Sequence, residues 1–139
     1  FWKGETFSAQ RQYDQAIAVY NQVKGGENAV KSLYALGYAY YNKKDYARAL
    51  PYFQQYLRAN PTDKASADDA VVRTADCLFA TKQYNEAIRY YDQAIAQNRA
   101  DRDYAAFQKG VILGYVGRDT EAKAQFDQLQ RQYPGSRYV

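Results

Sequence analysis

A four-residue pattern with fixed internal spacing recurs four times along the chain and constrains its fold more than any other feature. In each copy a small residue is followed after nine positions by Tyr or Asp, after twelve by Ala, and after sixteen by Tyr or Phe. The four sets are Gly4/Tyr13/Ala16/Tyr20, Gly37/Tyr46/Ala49/Phe53, Ala75/Tyr84/Ala87/Tyr91 and Gly110/Asp119/Ala122/Phe126. Their first members, at positions 4, 37, 75 and 110, stand 33, 38 and 35 residues apart. A constant unit with small insertions is typical of a helical solenoid, a fold that favours binding over catalysis.

Apolar residues within each copy recur at helical intervals and are interrupted by short polar turns. In the second copy they are Leu33, Leu36, Tyr40 and Tyr41, and then Ala49, Phe53, Tyr56 and Leu57. The period near 3.6 predicts two helices, and the turn at residues 42–45 supplies Asp45 as a cap for the second. Equivalent turns stand at residues 81–83 and 117–119, where Gly117 is a natural helix end. Turns this short predict antiparallel helix pairs.

The recurring residues are predicted to serve helix packing. Gly37 and Ala49 are expected where the two helices of a pair approach most closely, since glycine inside a helix costs about 1 kcal/mol relative to alanine. The aromatic residues at the sixteenth step are expected to fill the space between one pair and the next. They are Phe53, Tyr91 and Phe126. After the break at residues 60–63, residues 66–69 (Ser-Ala-Asp-Asp) resemble a capping box and predict a helix start there.

The second copy resembles the tetratricopeptide repeat. Its residues Leu33, Leu36, Gly37, Tyr40, Ala49, Phe53 and Pro61 match the family pattern W-x2-L-G-x2-Y, A-x3-F, P, apart from Leu33 in place of Trp. The first copy keeps Gly4, Phe7, Ala16 and Tyr20, the third keeps Leu78, Ala87 and Tyr91, and the fourth keeps Gly110, Ala122, Phe126 and Pro134. The similarity covers essentially the whole chain in four copies that keep one register.

The resemblance implies an all-α fold, a right-handed α-α superhelix of about four antiparallel helix-turn-helix units. The expected units span residues 1–27, 28–63, 64–101 and 102–136 of a single array. Counting in register places Phe1 inside a first helix and Arg137 at the opening of a fifth unit. We therefore expect the chain to be a segment of a longer array, because repeat arrays normally end in a polar capping helix.

The resemblance also implies a concave groove lined by the first helix of each unit, where family members bind proteins or peptides. The groove positions carried over to this chain are Lys31, Tyr34, Tyr38 and Tyr41, then Asp69, Val72, Asp76 and Phe79, then Tyr104, Phe107, Val111 and Tyr115. Seven of these twelve are aromatic, as on binding surfaces with hot spots. The alternative is that these rings pack between neighbouring units and never meet a ligand.

Composition argues against an enzyme. The chain has no His, so the commonest general base and metal ligand is absent, and its one cysteine, Cys77, lies on an apolar helical face where a buried structural thiol is expected. No catalytic, cofactor or metal site is predicted. Lys and Arg are scattered along the chain, which argues against a nucleic-acid partner, and no apolar run is long enough to insert in a membrane.

Three functions remain open from the sequence. The first is a non-catalytic scaffold module that binds a protein or peptide in the groove. The second is a structural spacer that self-associates through uncapped ends, and the third is a regulatory domain of a larger envelope protein or enzyme. The insertion at residues 63–66 and the ending Tyr133-Pro134-Gly135-Ser136 are similar to bacterial cell-envelope members of the family, which favours the periplasm or cell envelope over the cytoplasm.

Overall fold

All regular structure in the described part of the chain is helical. The computed structural model describes residues 13–15, 17–18, 26–97 and 101–138. Gly4, Phe7, Ala16 and Tyr20 of the first copy lie outside the described residues. Backbone contacts divide the chain into two bodies, which we call the N-terminal body (Phe1–Thr62) and the C-terminal body (Asp63–Val139).

The helices pack as pairs along the chain. The N-terminal body contains α1 (Gly26–Asn42) and α2 (Tyr46–Arg58), and the C-terminal body contains α3 (Lys64–Ala80), α4 (Tyr84–Ala96), α5 (Arg102–Tyr115) and α6 (Asp119–Gln132). Helix α1 packs on α2, α3 on α4, and α5 on α6, while α4 also packs on α5. Only three residues separate the two helices of each pair, so the chain must reverse and the pairs are antiparallel, as predicted.

The three turns inside the pairs share one backbone geometry. Each contains a residue in the left-handed region, namely Lys44 (φ 65°), Lys82 (φ 66°) and Gly117 (φ 81°). In the first turn the following amide, that of Asp45, donates to the carbonyl oxygen of Tyr40 at 2.9 Å, and the other two turns contain the same bond. This is the Schellman arrangement, which satisfies carbonyl groups at the end of a helix. The prediction that Gly117 ends a helix is confirmed.

Aspartates cap two of the helices. The Asp45 carboxylate accepts a hydrogen bond from the Arg48 amide at 3.3 Å, which confirms the predicted cap of α2. The predicted capping box beginning at Ser66 is wrong, because α3 already begins at Lys64. The cap of α3 is Asp63, whose carboxylate accepts hydrogen bonds from the Ser66 amide at 3.3 Å and from the Ser66 hydroxyl at 2.8 Å. Ser66 therefore stands at the third helical position and supports the cap instead of providing it.

Two of the recurring glycines make room for an aromatic ring of the partner helix. A Cβ atom at Gly37 would lie 2.8 Å from Cδ1 and Cε1 of Phe53, and one at Gly110 would lie 2.6 Å from Cε1 of Phe126. Phe53 and Phe126, which were expected between pairs, each pack inside their own pair against the glycine. In these two units the glycine that opens the pattern therefore contacts the aromatic residue sixteen positions later. Tyr91 contacts Tyr104 of the next pair, as expected.

Small and branched residues fill the rest of the core. In the N-terminal body Leu36 and Ala39 of α1 cluster with Ile17, which comes from the first copy. In the C-terminal body the buried apolar residues include Val71, Ala75, Leu78, Ala87, Ala105, Ile112, Leu113 and Leu129. Each helix therefore buries a stripe of helical period, which fixes the face that remains available to a partner.

Candidate partner-binding site

Three tyrosines form a continuous row along α1, and we call them the tyrosine row: Tyr34, Tyr38 and Tyr41. Their spacing of four and three residues places them on one face of the helix. The ring centroids of Tyr34 and Tyr38 lie 5.0 Å apart and those of Tyr38 and Tyr41 5.8 Å apart, both in edge-to-face geometry. Each ring also contacts Phe53, at 6.2, 5.3 and 6.3 Å. The row is a layer of rings laid over the buried Phe53.

The tyrosine row is only half-buried, so each ring keeps surface that a partner could cover. Tyr56 and Tyr46 of α2 contact its two ends, at 5.0 Å from Tyr34 and 5.4 Å from Tyr41. Lys31, which precedes Tyr34 by three residues on the same helix, is exposed. Half-buried rings held by their neighbours offer a partner apolar area at a small cost in conformational entropy.

The four predicted groove residues of α3 differ in exposure. Val72 is 1% exposed and Asp76 9% exposed, so both side chains are taken up inside the C-terminal body and do not present surface to a ligand. Asp69 and Phe79 are half-buried. Two of the four predicted groove residues of α3 are therefore accessible.

Asp76 is a buried hydrogen-bonding centre between helices. The hydroxyl of Tyr91 on α4 and that of Tyr104 on α5 both donate to Asp76 Oδ1, the second at 2.9 Å. Arg73 Nη1 donates to its other oxygen at 2.8 Å. Burial, followed by the nearby negative charge of Asp76, raises the pKa of Tyr91. Asp76 thus ties α3, α4 and α5 together, a role that its place in the repeat does not reveal.

Arg73 balances the negative charge around Asp76. Its guanidinium also pairs with Asp69 at 3.4 Å and with Asp101 at 3.7 Å, and lies 5.7 Å from the ring centroid of Tyr104. Sequence reasoning missed this network. The spacing of Asp69, Arg73 and Asp76, four and then three residues apart on one helix, was the signal that could have indicated it.

A second group of aromatic rings lies where α3 and α5 end. Phe79, Tyr84 and Tyr115 contact one another with centroid distances of 5.8 to 6.0 Å, and the Tyr84 and Tyr115 rings are stacked at an angle of 2°. Tyr115 is 68% exposed. Tyr84 was assigned only to the repeat pattern, but it links the two predicted groove residues Phe79 and Tyr115.

The remaining predicted groove residues lie on α5. Tyr104, Phe107 and Val111 are all half-buried. The rings of Tyr104 and Phe107 both contact Tyr138, which follows the last helix. These two predicted positions are therefore covered in part by the chain itself.

The chemistry of Cys77 agrees with a structural thiol. The side chain is fully buried, and this desolvation, together with the charge of Asp76, raises the pKa of the thiol to about 12. At neutral pH such a thiol is almost entirely protonated and is a poor nucleophile. Within the described ranges, no cluster of His, Cys, Asp and Glu side chains is suited to holding a metal ion. None of the helices described is long and apolar enough to span a membrane.

Comparison with known proteins identifies related sequences and folds. Three models of the tetratricopeptide repeat match the chain, over residues 3–64, 40–109 and 104–136. No curated protein sequence matches significantly. Among solved structures, YrrB, described as a TPR protein with an unusual peptide-binding site, superimposes with a TM-score of 0.71 at 26% identity. The match covers 94% of this chain and 66% of YrrB, so the chain spans about two thirds of that protein. The predicted all-α, α-α solenoid class is confirmed by this similarity and by the helix pairs.

Proposed function

This chain belongs to the tetratricopeptide repeat family, and we propose on that premise that it is a non-catalytic scaffold module that binds a protein or peptide partner in a groove. The structural neighbour YrrB is described as having a peptide-binding site, which supports a peptide or an exposed protein segment as the ligand. Repeat arrays in general present extended surfaces suited to such partners.

The tyrosine row is the observation that carries this proposal. Three rings stand side by side with part of their surface exposed, although a row needed only for packing could be buried completely, as Phe53 is. A partner that covered the exposed part of these rings would bury further apolar surface, at roughly 25 cal/mol per Å². Tyrosine is enriched among the residues that dominate the binding energy of interfaces.

The absence of catalysis is part of the same proposal. The sequence contains no His, and its one cysteine has a thiol with a pKa of about 12. The carboxylates that come together in the C-terminal body, Asp69, Asp76 and Asp101, share Arg73 as a salt-bridge partner. Their interactions hold helices together, which fits a scaffold better than an acid-base site.

The test compares two tyrosines of the same helix. Peptides are selected on the immobilised chain from a displayed random library, and the enriched peptides are titrated against Tyr38→Ala and Tyr40→Ala. Tyr40 is the matched control, because it is also half-buried on α1 but stacks on Tyr52 at 5.5 Å and 7° instead of joining the row. We expect Tyr38→Ala to weaken binding by at least tenfold, about 1.4 kcal/mol, and Tyr40→Ala to leave it unchanged.

Circular dichroism of both variants separates binding from packing. Equal losses of helix and of affinity in Tyr38→Ala would mean that the row is part of the core. A selection that enriches no peptide, together with concentration-dependent self-association in sedimentation, would instead support the structural spacer. Either result would overturn the proposed function.

A further inference from the structure

The net positive charge of the chain belongs to the N-terminal body. This body contains eight Lys and Arg residues against four Asp and Glu residues, whereas the C-terminal body contains eleven of each kind. The formal net charge of +4 is therefore carried by the body that contains the tyrosine row. A positive field of this kind speeds the association of acidic ligands and slows that of basic ones.

Lys31 places one of these charges at an end of the tyrosine row. It precedes Tyr34 by three residues on α1, so the two side chains lie on the same face of the helix, one turn apart. The Lys31 side chain is exposed, and it forms no ion pair with any side chain in the described ranges. A ligand that covers Tyr34 therefore comes within reach of an accessible ammonium group.

The acidic residues whose side chains are described in the N-terminal body have other partners. Asp14 forms an ion pair with Lys43. Asp45 caps α2 and pairs with Arg48 at 3.5 Å. Neither carboxylate pairs with Lys31, so a carboxylate brought by a partner could pair with this lysine without displacing one of them.

We propose that the tyrosine row and Lys31 together recognise an acidic peptide segment, whose apolar side chains cover the rings and whose Asp or Glu pairs with Lys31. The inference rests on the proposed function, because it states the chemistry of the peptide that binds the row. Helix α1 advances about 1.5 Å per residue and an extended peptide about 3.3 Å. An extended peptide along α1 would therefore carry its acidic residue within about three residues of the side chain over Tyr34.

Single-stranded nucleic acid is the other ligand that combines negative charge with contacts to aromatic rings. The ring geometry favours the peptide. Neighbouring rings of the row meet edge to face, at 75° and 65°, and do not present a series of parallel faces to successive bases. The scattered Lys and Arg residues of the chain also lack the single basic stripe that follows a phosphate backbone.

The experiment asks which charge the chain selects. A displayed library of random linear peptides is selected in parallel on the unchanged chain and on Lys31→Glu. The unchanged chain should enrich Asp or Glu close to apolar residues, and Lys31→Glu should enrich Lys or Arg at the same place. A peptide enriched on the unchanged chain is then synthesised and titrated against both proteins. We expect Lys31→Glu to bind it at least about fivefold more weakly at low salt, and the difference to shrink at high salt, because salt screens exposed charges. Replacing the acidic residue of the peptide with Lys should restore binding to Lys31→Glu.

Two further variants control for net charge and for folding. Lys64→Glu changes the net charge by the same amount at an exposed lysine that begins α3 in the C-terminal body. We expect its affinity for the peptide to stay within about twofold of the unchanged chain, since exposed charges away from a ligand are largely screened. Lys31→Gln removes the charge without reversing it and should give an intermediate loss. Circular dichroism should show the same helix content in all three variants.

Three results would overturn the inference. The first is equal peptide affinity of the unchanged chain and Lys31→Glu, and the second is an equal loss in Lys31→Glu and Lys64→Glu, which would mean that only the net charge matters. The third is binding of oligothymidylate that Tyr38→Ala abolishes, with no peptide enriched, which would assign the row to nucleic acid. Peptide binding that depends on Tyr38 but not on Lys31 would keep the proposed function and reject only the acidic partner, so the two proposals fail separately.

Discussion

Replacing Gly37 with alanine tests the assignment of the repeat glycine as the space for an aromatic ring. The new Cβ would lie 2.8 Å from two carbon atoms of Phe53, at least 0.6 Å closer than an ordinary van der Waals contact. Phe53 is completely buried and its ring contacts all three rings of the tyrosine row, so it cannot swing away. Overpacking of this kind costs about 1–3 kcal/mol, whereas alanine gains about 1 kcal/mol in helix propensity. The net expectation is a loss of up to about 2 kcal/mol.

Two other glycines provide graded controls for this substitution. Gly114 is on α5, and a methyl group added there would meet no atom within 4 Å, so Gly114→Ala should stabilise the chain by about 0.5–1 kcal/mol through propensity alone. The change in unfolding free energy for Gly110→Ala should lie between those for Gly37→Ala and Gly114→Ala, because the neighbouring Phe126 is only half-buried and can move outward. Urea unfolding followed by circular dichroism gives the free energies, and hydrogen exchange of the α1 amides localises the effect, since repeat arrays can unfold in parts.

A double-mutant cycle identifies the cause. If the clash with Phe53 is responsible, Phe53→Leu should offset part of the loss, so that Gly37→Ala costs at least about 1 kcal/mol less in the Leu background. Stabilisation by Gly37→Ala of the same size as that by Gly114→Ala would refute the reasoning. A loss of stability in Gly37→Ala that is the same with and without Phe53→Leu would also refute it.

The remaining predictions concern the turns, the buried carboxylate and the thiol. Lys44→Gly and Lys82→Gly should each stabilise the chain by about 0.5–1 kcal/mol, because both lysines have positive φ, and a lower urea midpoint for both would contradict this. Tyr91→Phe should cost about 1–2 kcal/mol in urea unfolding, since it removes a hydrogen bond to the buried Asp76, and in an Asp76→Asn background the cost should shrink. Cys77 should resist iodoacetamide at pH 8, where a pKa of about 12 leaves roughly one thiolate in ten thousand against about a quarter for a free thiol. Its labelling rate should rise with pH and with urea, and rapid labelling of the folded chain at pH 8 would show that the thiol is accessible.

The sequence determined the helices, their pairing and the repeat that relates them. Invariant spacing and the 3.6-residue period of apolar side chains are local properties, so they could be read without knowing which helices meet. The turns could be predicted for the same reason, including Asp45 as a helix cap and Gly117 as a helix end. The capping box was misplaced because Ser66 and Asp63 are both plausible caps, and only the backbone at Lys64 shows which one is used.

Only the tertiary structure decided which of the predicted groove residues are accessible and what the recurring aromatic residues pack against. Phe53 and Phe126 fill the space above a glycine of their own pair, which depends on the distance between two helices and not on spacing along one. Asp76 was predicted to line the groove but is buried, and tyrosines from two other helices donate hydrogen bonds to it. Tyr138 contacts the rings of Tyr104 and Phe107, which lie more than 30 residues before it in the sequence. A repeat records the contacts that its copies share, so contacts that depend on one residue of one copy, such as those of Asp76, become visible only when the helices are placed together.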